Sequence, residues 1–125
     1  MCLTTKRRWP KIAWKPITTY KVVYSPNNYP SLLTIFQDFP IQIGNTYEET
    51  LGNIFRGRRR LHFNKYEIHE GIHSNTKLYQ SRVIANYFRE PNPIIVKCVI
   101  PKFSFYWIGD DNDIVSNKLK YVKIL

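Results

Sequence analysis

The chain has 125 residues, of which 19 are Lys or Arg and 9 are Asp or Glu, so its formal net charge is +10. That length suits one domain with a substantial core. With 43% apolar and 15% aromatic residues, the composition excludes a disordered tail, and no apolar run is long enough to span a bilayer. The start of the chain lacks the apolar stretch of a secretory signal, and Cys2 and Cys98 are too few for a disulfide framework. We therefore expect a reduced protein that is made and assembled inside the cell.

The positive charge is concentrated in two stretches. Residues 1–21 hold six basic residues and no acid, and residues 56–65 hold five basic residues and no acid. The other 94 residues carry eight basic and nine acidic groups and are nearly neutral. Such patches favour a polyanion or an acidic protein surface as partner, although solvated loops that keep the protein soluble would show the same pattern.

Residues 1–17 are predicted to form an extended N-terminal arm, because Pro10 and Pro16 prevent a regular helix. Trp9 and Trp14 lie among its basic residues and must bury against this domain or against a partner. Residues 18–24 follow as the first predicted strand, rich in β-branched and aromatic side chains.

The remainder predicts many short strands and one helix. Apolar residues at helical spacing predict a helix over 77–89, with Ser74, Asn75 and Thr76 as N-cap candidates. Residues 46–55 are ambiguous, since a capping box from Thr46 to Glu49 favours helix and Gly52 opposes it. Further strands are predicted at 61–63, 66–68, 94–101, 103–108 and 119–125, with turns at 25–28 and 44–45. The fold class is therefore α+β, a small, mostly antiparallel β domain over 18–125 with one main helix.

The segment His69-Glu70-Gly71-Ile72-His73 matches the H-E-x-x-H motif of zinc proteases. In that motif two His four positions apart share a helix face and bind zinc, while the Glu acts as general base. Gly71 and the strand-like flanks oppose a helix here, and an extended chain would separate the two His by about 13 Å. We predict no metal site, no cofactor and no catalytic residue.

Other chemistry is weakly supported. Cys98 lies in an apolar run, where a buried thiol is usually inert packing. The acidic loop after Gly109 lacks the glycine and distal glutamate of a calcium-binding EF-hand, and a polar connection explains it. An enzyme of unknown type acting around His73, Tyr20 and Cys98 stays open as a third interpretation.

The basic and aromatic residues of the arm and of the arginine loop (residues 56–60) form the predicted binding site. Arg can bind phosphate or carboxylate with two hydrogen bonds, and Trp can stack on a base or fill a cavity in a protein partner. The sequence does not separate protein from nucleic acid as the partner. The site residues are Lys6, Arg7, Arg8, Trp9, Lys11, Trp14, Lys15, Arg56, Arg58, Arg59 and Arg60.

Short motifs along most of the chain resemble a known group of sequences. They are Met1-Cys2-Leu3-Thr4, Tyr20-Lys21-Val22, Gly71-Ile72-His73-Ser74, Lys97-Cys98-Val99-Ile100-Pro101, residues 106–109 and Ile114-Val115-Ser116-Asn117. The pattern resembles a family of short uncharacterised proteins of Bacteroides-type bacteria and their tailed phages, with an M-C-L-[ST] start and G-[IF]-H-[SA] and K-C-x-I-P motifs. The resemblance implies that a strand starts at residues 71–73, and it implies no established activity. Asn75 and the arginine loop depart from the pattern.

These observations predict a non-enzymatic structural or interaction protein. The phage association of the family suggests an auxiliary capsid protein of a virion, assembled in the bacterial cytoplasm, that docks on a larger protein assembly. A sequence-independent nucleic-acid-binding protein in the bacterial cytoplasm is the alternative. Neither interpretation includes a membrane or a small-molecule substrate.

Overall fold

A computed structural model describes residues 3–5, 9–25, 32–34, 39–49, 55–56, 66–68, 71–87, 92–109 and 112–125. Within these ranges the chain forms thirteen strands and one helix, and every strand pairing is antiparallel. The strands are β1 (Leu3–Thr5), β2 (Lys11–Ile12), β3 (Ile17–Tyr24), β4 (Leu32–Thr34), β5 (Pro40–Ile41), β6 (Thr46–Glu48), β7 (Phe55–Arg56), β8 (Tyr66–Ile68), β9 (Ile72–Asn75), β10 (Pro93–Ile100), β11 (Phe105–Ile108), β12 (Asp113–Ser116) and β13 (Lys118–Ile124). The helix α1 spans Leu78–Tyr87.

The predicted α+β class is confirmed, since the described chain is mostly antiparallel sheet with a single helix. The strand that was predicted at 18–24 begins one residue earlier, and β9 starts directly after Gly71, where the resemblance implied a strand. Residues 46–48 form β6 rather than the first turn of a helix, because β6 pairs with β13 over three residues. The ten-residue α1 is the one helix in the described ranges, and it is too short to cross a membrane.

The larger sheet has the order β2-β11-β12-β9-β3-β10-β13-β6, with β4 and β5 attached beside β3. Asn117 is the single residue between β12 and β13. Since β12 pairs with β9 and β13 pairs with β10, the chain through Asn117 joins the two ends of the order β12-β9-β3-β10-β13 into a ring. The sheet therefore curls until it has an inner face and an outer face.

The core lies on the inner face of this ring. Successive residues of a strand point to opposite faces, so every second residue of β3 and β10 faces inward. The apolar side chains that are buried on the inner face include those of Val23, Val96, Cys98, Ile100, Ile114, Leu119 and Tyr121.

The helix α1 lies on the outer face against β3, β9 and β10. Asn75 Nδ2 donates a hydrogen bond to Ser81 Oγ at 3.1 Å, and Ser81 is the fully buried residue of the helix. The N-cap candidate Thr76 faces away from α1, because its amide and its hydroxyl both donate to the carbonyl of Asn112.

A second sheet of three strands has the order β1-β8-β7, and β1 lies against β11 and β12. Trp107 and Val115 are paired across β11 and β12, and both are buried. The small sheet therefore lies beside β11 and β12. After β1, the chain pairs with β11 through β2.

Candidate functional site

The N-terminal segment 11–13 is joined to the turn that precedes β11. Ile12 pairs with Phe105, and the Ala13 amide donates to the Ser104 carbonyl at 2.8 Å. The Phe103 amide donates back to the Ala13 carbonyl at 2.6 Å. Ala13 is 1% exposed and belongs to the core. These contacts hold the residues on either side of Ala13 in a defined position on the surface.

The exposed side chains at this junction form what we name the aromatic–lysine surface. Trp14 and Phe103 are in edge-to-face contact, with ring centroids 6.2 Å apart and an interplanar angle of 89°. The Lys102 ammonium lies 4.9 Å from the centroid of the Phe103 ring, which is a cation–π contact. The surface consists of Ile12, Trp14, Lys15, Lys102, Phe103 and Phe105, all exposed.

This surface is apolar and positive at once. Trp14 remains 68% exposed and Phe103 remains 61% exposed despite their mutual contact. Its two charged members are lysines, and none of its six residues is acidic. Aromatic rings with basic neighbours are the combination that is enriched where proteins bind partners.

Phe103 adopts a backbone conformation that glycine ordinarily supplies. Its φ is +71°, in the third position of a turn closed by the hydrogen bond from the Ser104 amide to the Pro101 carbonyl at 3.1 Å. For a bulky side chain, the left-handed region costs about 1–2 kcal/mol. The turn therefore holds a large ring in solvent at an energetic cost to the free protein.

The predicted site residues divide into three groups. Trp9, Lys11, Trp14 and Lys15 are described and exposed, with Trp9 at 65%. Arg56 is described by its backbone as part of β7. The residues that lie outside the described part of the chain are Lys6, Arg7, Arg8, Arg58, Arg59 and Arg60.

The small sheet brings together the points from which the two basic stretches leave the described chain. Thr5, the last residue of β1, pairs with Tyr66 of β8, and Arg56, the last residue of β7, pairs with Tyr66 from the other side. Adjacent strands are about 4.8 Å apart, so Thr5 and Arg56 are separated by about 10 Å. Residues 6–8 of the first basic stretch and residues 57–60 of the second therefore follow directly on the same end of this sheet. Whether their side chains act together stays a prediction.

Four residues of the aromatic–lysine surface were not among the predicted site residues, namely Ile12, Lys102, Phe103 and Phe105. The turn residues 101–104 are recognisable in the sequence as a connection between two apolar segments. Their position beside Trp14 depends on the pairing of β2 with β11, which local sequence does not encode.

The residues of the enzymatic interpretation are divided between the two faces of the sheet. Cys98 faces the core and is fully buried, and burial raises the pKa of its thiol to about 12. His73 precedes Ser74, which pairs with the core residue Ile114, so His73 points to the opposite face from Cys98. The thiol and the imidazole are therefore not brought together. Among the described residues, no group of three or more His, Cys, Asp or Glu could hold a metal ion.

The zinc-protease motif has its second His in a strand. His73 is part of β9, whereas His69 and Glu70 lie outside the described residues, as do Cys2, Asp110 and Asp111.

No protein-family model matches the chain, and comparison with curated proteins and with solved structures returns no match either.

Proposed function

We propose that this chain is a non-enzymatic interaction protein that docks on a larger, acidic protein assembly through the aromatic–lysine surface. The two basic stretches attached to β1 and β7 add electrostatic complementarity and speed association. The specific role as an auxiliary capsid protein of a phage particle rests on the motif resemblance. In that role the protein works in the virion, after assembly in the bacterial cytoplasm.

The observation that carries this proposal is the exposure of the Phe103 ring on a backbone with positive φ. Its ring gains little apolar burial from its own fold, since most of its area is exposed, and its backbone conformation is unfavourable for a bulky residue. Local strain of this kind is concentrated at functional sites. A partner that covers Trp14 and Phe103 would recover the burial energy that the free protein forgoes.

Truncation of the arm is a poor test of this surface. Removal of residues 1–17 would delete β2 and the buried Ala13, whose amide and carbonyl both bond to the turn before β11. Loss of docking would then report loss of structure. Point substitutions of exposed residues avoid this difficulty.

The test compares four tagged full-length proteins, namely the wild type, Phe103→Gly, Trp14→Ser and Tyr87→Ser. They are expressed in phage-producing cells, and recovery of the phage shell protein is the readout. Phe103→Gly fits the backbone conformation and removes the ring, so its unfolding free energy should stay within about 1 kcal/mol of the wild type. Loss of a binding hot spot costs about 2 kcal/mol or more, so we expect Phe103→Gly to recover roughly thirty-fold less shell protein. Tyr87→Ser, which changes an aromatic residue that is 77% exposed on α1, is the matched control and should dock normally.

Equal recovery of shell protein by wild type, Phe103→Gly and Trp14→Ser would contradict the proposal. Equal loss with Tyr87→Ser would show that docking uses no particular aromatic residue, and would contradict it as well.

A second candidate function is sequence-independent nucleic-acid binding. It is favoured by the common starting point of the two basic stretches, because a phosphate backbone is recognised by clustered Lys and Arg. Exposed Trp14 would then stack on bases, as aromatic residues do in proteins that bind single strands. The aromatic–lysine surface is shared by both candidates, and salt dependence separates them.

A further inference from the structure

Three polar side chains lie on the inner face of the curled sheet, among the core residues. They are Thr19 and Lys21 of β3 and Ser74 of β9. Residues paired across an antiparallel ladder point to the same face, and each of the three is paired with a core residue. The pairs are Thr19 with Cys98, Lys21 with Val96, and Ser74 with Ile114.

The three side chains are neighbours. The pairing of Tyr20 with Asn75 joins β3 to β9, and Lys21 and Ser74 are the residues next to this pair, both on the inner side of the sheet. The hydrogen bond that Lys21 Nζ donates to the His73 carbonyl at 2.6 Å agrees with this placement. Thr19 lies two residues before Lys21 on the same face.

The polar atoms of these three side chains can form more hydrogen bonds than the described residues supply. Thr19 is 0% exposed and Ser74 is 4% exposed, and neither hydroxyl oxygen has a hydrogen-bond partner among the described residues. The ammonium of Lys21 has three donors, and the described residues supply one acceptor. Buried polar groups without partners are unusual, and a bound ion or water is an established explanation for them.

The electrostatics of the group favour an anion over water. Burial lowers the pKa of Lys21 to about 8, and the attraction of Cys98 and Glu49 is too weak to offset that effect. Cys98 keeps its proton, since burial raises the pKa of its thiol. Near neutral pH a positive charge is therefore held at this point, and among the described residues Glu49 is the acid that attracts it.

Within the described residues, strand pairing along one edge of β3 is interrupted beside Lys21. One edge of β3 pairs with β10 along its whole length. The other edge pairs with β9 at Tyr20 and with β4 at Val23 and Tyr24. Between these contacts, at residues 21–22, no described strand pairs with that edge.

We propose that Lys21, Ser74 and Thr19 form a binding site for a single small anionic group, a carboxylate or a phosphate, that reaches them at residues 21–22 of β3. The ammonium supplies the charge, and the two hydroxyls donate hydrogen bonds to the oxygen atoms of the anion. This site lies on the inner face of the sheet. It is separate from the aromatic–lysine surface, so the proposed docking function can fail without affecting it.

The test is a titration of isotope-labelled full-length protein with inorganic phosphate and, separately, with acetate, followed by backbone amide NMR. We expect saturable shifts at Thr19, Lys21 and Ser74. Lys21→Met should weaken binding about tenfold or more, because a hydrogen bond to a charged group is lost. The matched control is Lys97→Met, since Lys97 is paired with Tyr20 and points to the opposite face. It should bind like the wild type.

Thr19→Val keeps the side-chain shape and removes the hydroxyl, so it tests the site even if Lys21→Met fails to fold. A several-fold loss of affinity in Thr19→Val supports the site. Unchanged affinity in Thr19→Val would overturn it, because binding would then be adventitious contact with the basic surface. Absence of saturable shifts with both anions would also overturn it, and would mean that water satisfies the three groups.

Discussion

At Lys21, burial opposes the charge that the side chain carries at neutral pH. The pKa falls to about 8 from the ordinary value of 10.5, mainly through desolvation. In the unfolded chain the amine keeps its proton up to about pH 10. Between about pH 8 and pH 10 the unfolded state therefore binds more protons than the folded state, so the free energy of unfolding rises with pH in that window.

Replacement of Lys21 should remove this rise. In buffers without phosphate, we expect the unfolding free energy of the wild type to increase by about 1 kcal/mol from pH 8 to pH 9, relative to Lys21→Met. Chemical denaturation at each pH measures the difference. Burial also raises the pKa of Cys98 and of Tyr121, which opposes this rise, and the comparison with Lys21→Met separates the two effects because both proteins contain these residues. A wild type whose stability stays level or falls over this interval, relative to the variant, would contradict the assignment.

Among the elements, α1 shows what the spacing of apolar residues predicts about a helix and what it does not predict. The apolar spacing predicted a helix over 77–89, and the described helix covers 78–87. The same spacing did not tell which apolar residues would be covered: Tyr79 and Val83 are more than half exposed, whereas Ser81 is fully buried. The helix has apolar residues around much of its circumference, so the sheet against which it packs selects the buried side.

Strand β13 shows the alternation that half-buried strands require. Leu119 is fully buried in the core, and Lys120 beside it is exposed on the other face. We expect Leu119→Ala to lower the free energy of unfolding by about 2–5 kcal/mol, through lost burial and the cavity that remains.

Lys120→Ala is the control for this substitution, since a surface change of this kind stays within about 0.5 kcal/mol. Thermal or chemical denaturation measures both variants. Similar losses of unfolding free energy in the two variants would show that β13 does not bury the face that carries Leu119.

For the whole molecule, the net charge of +10 predicts that any acidic partner is attracted over some distance, and that salt weakens this attraction. Random single-stranded DNA should bind at about 50 mM salt and be largely released by about 200 mM, since counterion release dominates such binding. Docking on a protein shell should persist at the higher salt, because apolar contact of Trp14 and Phe103 is not screened. Fluorescence anisotropy with labelled DNA and co-sedimentation with shell protein measure the two cases.

The outcome decides between the two candidate functions. DNA binding that survives at about 200 mM salt, and that is lost in Trp14→Ser, would favour the nucleic-acid candidate over protein docking.

The sequence by itself determined the class of fold, the helix near residues 77–89, the strand near 18–24 and the places where basic residues concentrate. These follow from local properties, namely the period of apolar residues, the positions of proline and glycine, and charge. The structure alone decided that β12 and β13 close the sheet into a ring, that Thr46–Glu48 becomes a strand, and that Phe103 lies against Trp14. Those features depend on pairings between residues far apart in the chain, and strand pairing is selected by packing across the whole sheet rather than by any local signal.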